Sequence, residues 1–156
     1  MEITLLAIGT KMPKWVNDGY QEYAKRLGRD CKLILKEIPS PRRSNAEDSS
    51  TVRKKEGQLL LAAIPKGSYL IALDEHGKLQ STQSVADKFQ QLKESSQSLA
   101  LVIGGADGLS DQVLEQCIEK WSLSKMTFPH AMVRVIVAEQ IYRAFSLLNN
   151  HPYHRA

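Results

Sequence analysis

The sequence predicts an α/β fold, a mostly parallel sheet with helices on both faces, and three observations carry that expectation. Near-continuous apolar runs at residues 3–8 (I-T-L-L-A-I), 69–73 (Y-L-I-A-L) and 99–103 (L-A-L-V-I) lack polar alternation, the pattern of strands covered on both sides. Between them stand segments whose apolar residues recur at helical spacing. Strand-like and helix-like segments alternate along the chain without internal repeat or low-complexity tract, as parallel βα units do.

Residues 3–8 form the first strand, ended by Gly9-Thr10-Lys11-Met12-Pro13. A helix follows over 14–27, with Trp15, Val16, Gly19, Tyr20, Tyr23, Ala24 and Leu27 on its inner face, and Gly28 stops it. The second strand, 31–38, sets Lys32 and Lys36 among apolar neighbours, which suits a sheet edge. Residues 39–50 (P-S-P-R-R-S-N-A-E-D-S-S) are poor in apolar groups and long for a connection; such a segment either orders on a partner or serves as a surface loop. A helix over 51–63 is closed by Pro65-Lys66-Gly67, and the strand at 69–73 ends at Asp74-Glu75-His76-Gly77-Lys78. Ser81 N-caps a helix to about residue 94. The strand at 99–103 runs into Gly104-Gly105-Ala106-Asp107-Gly108, and Ser110 caps a helix over 111–120.

The last third is the most explicit. A short strand at 121–123 enters a small polar loop at 124–127, then Phe128-Pro129. Proline, with a fixed φ and no N–H, fits the first turn of a helix and pushes Phe128 toward an extended conformation. Val133, Ile136, Val137, Ile141, Ala144, Phe145 and Leu148 then mark one buried helical face. Val135, Ala138 and Tyr142 lie off that face and offer apolar surface to the core or to a dimer partner.

The 156 residues suit one domain spanning 1–156, with 42% hydrophobic and 24% charged content typical of a soluble globular protein. No apolar run has the length of a membrane span, and the N-terminus, with Glu2, does not read as a signal peptide. Cys31 and Cys117 fall in a strand and a helix outside any C-x-x-C pair, so they read as buried free thiols, and the expected compartment is the cytoplasm. His76, His130, His151 and His154 form no H-E-x-x-H or Cys/His cluster, so no metal is expected. The net charge of +4 is unevenly spread: between residues 11 and 55 there are 12 Lys and Arg against 6 Asp and Glu, from 74 to 120 there are 4 against 8, and from 121 onward 4 against 1. A basic first third and a basic end fit a surface that meets a polyanion, and equally a solvated face of mixed charge.

In parallel sheets ligands bind beyond the carboxyl ends of the strands. Three loops lie there, after Leu73, Ile103 and Leu123. The glycine run lacks G-x-G-x-x-G spacing, no G-x-x-x-x-G-K-[ST] occurs, and no G-x-S-x-G or Cys–base motif supports covalent catalysis. Residues alone leave open a nucleotide-binding or oxidoreductase enzyme using the Gly104 loop, and a non-catalytic RNA-associated protein.

The literal sequence narrows this. L-S-K-M-T-F-P-H-A-M-V-R at 123–134, L-V-I-G-G-A-D-G-L at 101–109, the terminal N-N-H-P-Y-H-R and the opening I-T-L-L-A-I-G-T-K-M-P, agreeing in order and spacing, resemble the ribosomal RNA large subunit methyltransferase H family of the SPOUT superfamily. The resemblance covers essentially the whole chain. It implies a SPOUT domain with a C-terminal trefoil knot, a homodimer, S-adenosylmethionine as cofactor, and methylation of N3 of a pseudouridine in large-subunit ribosomal RNA, with the assembled ribosome as the expected substrate. Carried across, the cofactor pocket falls on Leu73, Gly104, Leu123, Ser124, Lys125, Met126, Thr127 and Phe128, at the three strand ends singled out above. His130, Tyr153, His154 and Arg155 are the expected catalytic side chains, and Arg134, Tyr142 and Arg143 the expected RNA contacts. Arg134 and Arg143, nine residues apart, lie on opposite faces of one helix and so cannot both serve one pocket of one subunit.

Overall fold

The structure is a computed structural model describing residues 1–40 and 48–154. Most of the loop expected at 39–50 therefore lies outside the described residues, as does Arg155. The elements run β1 (Glu2–Ile8), α1 (Lys14–Ala24), β2 (Lys32–Ile38), α2 (Ser49–Ala63), β3 (Tyr69–Leu79), α3 (Thr82–Glu94), β4 (Leu99–Ile103), α4 (Asp111–Gln116), β5 (Glu119–Ser122), α5 (His130–Leu148) and a 3-10 turn, Pro152–His154. All five strands pair in parallel, in the order β2-β1-β4-β3-β5. The lysine-bearing β2 is an edge strand, as its composition suggests, and the central strands β1 and β4 are buried almost throughout.

The sheet separates two apolar layers. On one face Ile3, Leu5, Ile71 and Leu101 pack against Tyr20 of α1, Phe89 of α3 and Ile141 of α5. On the other, Leu6, Ala72 and Val102 meet Leu60 of α2 and Val113 of α4. Side-chain alternation along each strand feeds both layers, which is why these strands read as unbroken apolar runs.

Several boundaries differ from the sequence reading, each for a local reason. Helix α1 ends at Ala24, and Gly28, at φ +54°, shapes the turn beyond it. Trp15 is not on its inner face: it is 55% exposed, in the first turn, while Val16 and Tyr20 face inward. Helix α2 starts two residues earlier than expected because the Asp48 side chain accepts from Thr51 N and caps it. Helix α4 stops at Gln116 rather than 120, since the Ile118 amide already donates to the Leu70 carbonyl at 2.8 Å and draws the chain into β5. Cys117 is accordingly at the end of that helix, and Cys31 precedes β2; both are free thiols. Ala138 belongs to the core and is fully buried, because α5 packs against both α1 and α3 and is covered on more than one side. Val135 lies against Gly19 of α1, where an added Cβ would stand 3.1 Å from its Cγ1.

Candidate functional site

A cleft of ≈ 530 Å³ opens beyond the carboxyl ends of β3, β4 and β5. Its first wall is the turn after β4. The Gly108 amide donates to the Gly105 carbonyl at 3.1 Å, and Gly108 adopts φ +80°, where L side chains are strained. A Cβ on Gly104 would stand 2.7 Å from the Gly108 carbonyl carbon, so the turn closes only with glycine at that position.

The second wall comes from an irregularity in β3. Leu73 and Lys78 both pair with Trp121 of β5, so residues 74–77 are an excursion between two points of one register. The strand re-enters at Gly77, whose Cβ would meet the Lys120 and Trp121 backbone at 2.6–2.7 Å. The excursion brings Asp74 and Glu75 to the cleft.

The third wall is the 123–128 loop. Ser122 Oγ donates to the Ser124 carbonyl at 2.9 Å, and Ser124 Oγ accepts from Met126 N at 3.0 Å, which fixes the turn. Pro129 then precedes α5 with no side-chain cap. The first amides of a helix have no intrahelical acceptor and carry partial positive charge, so this end of the cleft suits a small anionic group.

Among the described residues, the charged side chains lining the cleft are Asp74, Glu75 and Asp107, and the one basic side chain is His130; no Lys or Arg lines it. In a chain of net charge +4 this is a local inversion. It favours a ligand with cationic character over a polyphosphate. Trp121, 3% exposed, also lines the cleft, and its indole N–H donates to Glu119 at 2.9 Å. Glu119 pairs in turn with Lys88 of α3 at 2.8 Å and accepts from the Tyr69 hydroxyl of β3. Burial alone would raise the Glu119 carboxyl, but the hydrogen bonds from Lys88, Tyr69 and Trp121 outweigh it and hold it below the usual carboxylate range.

Of the positions expected at a cofactor, Leu73, Gly104, Leu123, Ser124, Met126, Thr127 and Phe128 all line this one cleft; Lys125 is exposed and does not. His130 lines it as well. Arg134, one turn further along α5, does not reach it. Its side chain is 1% exposed, with Nη1 on Glu37 at 2.6 Å and Nη2 on the Gly9 and Ile8 carbonyls at 2.7 and 3.3 Å. The expectation that Arg134 contacts RNA does not fit this burial: the guanidinium ties α5 to the ends of β1 and β2. The carboxylates of the cleft were missed as site residues, although Asp74-Glu75 and Asp107 stand directly after two strands, the signal that could have found them.

The remaining candidates form a separate cluster at the other end of α5. The Tyr142 and Tyr153 rings are 4.5 Å apart, with His151 6.5 Å from Tyr142. Arg143 lies 5.1 Å over Tyr153, and Arg26 of α1 lies 5.7 Å over Tyr142. His154 Nδ1 is 3.5 Å from Ser146 Oγ. Burial first, and the hydrogen bond to Glu139 second, push the Tyr153 hydroxyl up to about 12, so it remains a neutral O–H. Along a helix rising 1.5 Å per residue, His130 and Arg143 are separated by about 20 Å. The structure thus brings the cleft residues together and the tail residues together, but not the two sets with each other within one chain.

Residues 1–154 match the family described as "Predicted SPOUT methyltransferase". The protein named ribosomal RNA large subunit methyltransferase H from Nitrosococcus oceani is 51% identical over 156 residues, covering 100% of this chain and 99% of that one. Its namesake from Methylococcus capsulatus is 48% identical over 155 residues, covering 99% and 100%. Among solved structures, a probable methylase family protein from Haemophilus influenzae superposes with a TM-score of 0.57 at 16% identity, covering 99% of this chain and 70% of that one, a likeness of fold.

Proposed function

The chain belongs to the SPOUT methyltransferases, in the family of ribosomal RNA large subunit methyltransferase H, and from that premise we propose that it transfers a methyl group from S-adenosylmethionine to N3 of a pseudouridine in large-subunit ribosomal RNA, on assembled ribosomes in the cytoplasm. The observation that carries the donor assignment is the cleft's charge. Its lining presents Asp74 and Glu75 with no Lys or Arg among the described residues, beside an uncapped helix start. A sulfonium with an α-ammonium and an α-carboxylate finds partners for all three charges there; a dinucleotide pyrophosphate does not. The volume is within the range of small-molecule sites.

When bound, S-adenosylmethionine supplies an activated methyl group on sulfur. The protein's own work is then to bind, orient and manage a proton. Gly104 and the loop residues Leu123, Ser124, Met126, Thr127 and Phe128 would hold the donor through backbone groups, with Leu73 as apolar wall. Fixing donor and acceptor in line can account for roughly 7–11 kcal/mol of barrier lowering. The imide N3–H must be lost at or before transfer, and His130, in the cleft, is the side chain best placed to accept that proton or to polarise the base. Tyr153 stays protonated and is unsuited to accept it. Tyr153, His154 and Arg155, with Tyr142 and Arg143, offer the stacking and base-edge contacts an unpaired nucleotide takes.

The distance of about 20 Å along α5 supports a homodimer, in which the tail of one copy completes the cleft of the other. Isothermal calorimetry tests the donor assignment: the protein is expected to bind S-adenosylmethionine and not nicotinamide dinucleotides, and Gly104→Ala to abolish binding because its Cβ meets backbone. Preference for a dinucleotide would remove the proposal.

A further inference from the structure

Glu139 lies outside the cleft, yet its carboxylate gathers the tail. Oε1 accepts from Arg143 Nη2 at 2.6 Å, from Arg143 Nε at 2.9 Å and from the Tyr153 hydroxyl at 3.0 Å. Oε2 accepts from Gln140 Nε2 at 2.8 Å, and Gln140 Oε1 accepts from Thr82 Oγ1 of α3 at 2.8 Å. Glu139 keeps only 16% of its side chain exposed. No residue of the turn it holds is fully buried, and its apolar contact with α5 is the Tyr153 ring against Tyr142. The other side-chain link from that turn, His154 to Ser146, is longer, at 3.5 Å. Hydrogen bonds to a charged acceptor are roughly twice as strong as neutral ones, so the strongest hydrogen bond between the turn and α5 is made to this carboxylate.

We propose that Glu139 is a positioning residue for the methyl transfer: it latches the Pro152–His154 turn to α5 through Tyr153 and Arg143, and so sets where His154 is presented, without itself meeting donor or RNA. This rests on the reading that the tail completes a site on a second copy. A glutamate here accepts from three donors on two elements at once, and Arg143 is held against the Tyr153 ring by the same carboxylate that takes the hydroxyl proton's bond.

The test uses full-length protein carrying Glu139→Gln, Tyr153→Phe or both, with ribosomes as methyl acceptor. Each single variant should lower kcat about tenfold or more while leaving the donor Kd unchanged. The double variant should be no worse than the poorer single, because both remove one shared interaction. Wild-type turnover in either single variant overturns the latch, as does additive loss in the double or a parallel loss of donor affinity, which would mark a general structural role. If Glu139→Gln does not fold, Tyr153→Phe, which keeps the stacking ring and removes the hydroxyl that meets Glu139, decides in its place. A chain ending at His151 separates the two levels: full turnover there removes the tail from the reaction, whereas lost turnover with active Glu139→Gln removes only the latch.

Discussion

Arg134 shows how far a single residue's role depends on where its charge is resolved. It lies one helical turn from His130 and is expected at RNA, but a guanidinium 1% exposed and bonded to Glu37 and two carbonyls serves the fold. Those acceptors come from residues more than ninety positions away, so periodicity could not reveal them. Arg134→Met would strip the Gly9 carbonyl and Glu37 of a donor. Glu37, a third exposed, recovers water, while the buried Ile8 carbonyl does not. The expected cost is about 1–3 kcal/mol, read as a lower urea midpoint with an unchanged slope. Unchanged stability would mean that the buried guanidinium is not holding β1 and α5 together. Gly104 was legible for the opposite reason: its constraint is local, a five-residue turn written as G-G-A-D-G.

At the scale of elements, β1, β2, β4 and all five helices follow from apolar runs, caps and the Pro129 helix start, while β5, expected at 121–123, lies at Glu119–Ser122 and takes two residues read as helix. The larger exception is β3. Asp74-Glu75-His76-Gly77 reads as the end of a strand, and only pairing with β5 shows that the strand resumes at Lys78. Long-range pairing of this kind leaves no local signal. The same corner is secured by Glu119, which joins β5 to α3 through Lys88 and to β3 through Tyr69. Its carboxyl is held below the ordinary value, so the unfolded chain takes up a proton that the folded chain resists. Glu119 therefore contributes stability above about pH 4, and that contribution is lost as pH falls through its lower folded value. Urea midpoints of the wild type and Glu119→Gln should differ at pH 7 and converge toward pH 3. A difference independent of pH would show that the Glu119 charge is not what secures this corner.

For the whole molecule, charge is distributed against its total. A chain of +4 carries acidic side chains in its cleft, which sets the proposed donor site apart from the basic segments of the sequence. The sequence showed the basic ends and the acidic middle as blocks, but not that Asp74, Glu75 and Asp107 converge. Folding does that, by setting β3, β4 and β5 side by side. The division of the candidate residues between two ends of α5 was likewise hidden, since both lie within thirty residues of sequence. A threaded C-terminus is beyond any reading of propensity, because connection rules weigh against it, and it entered only through family resemblance. The central claim is methyl transfer to one base of ribosomal RNA, and it is tested most directly by incubating the protein with ribosomes and methyl-labelled S-adenosylmethionine, then mapping the label in the large-subunit RNA by mass spectrometry. The account predicts one added methyl, on N3 of a pseudouridine; label absent from large-subunit RNA, or carried on another atom, would contradict it.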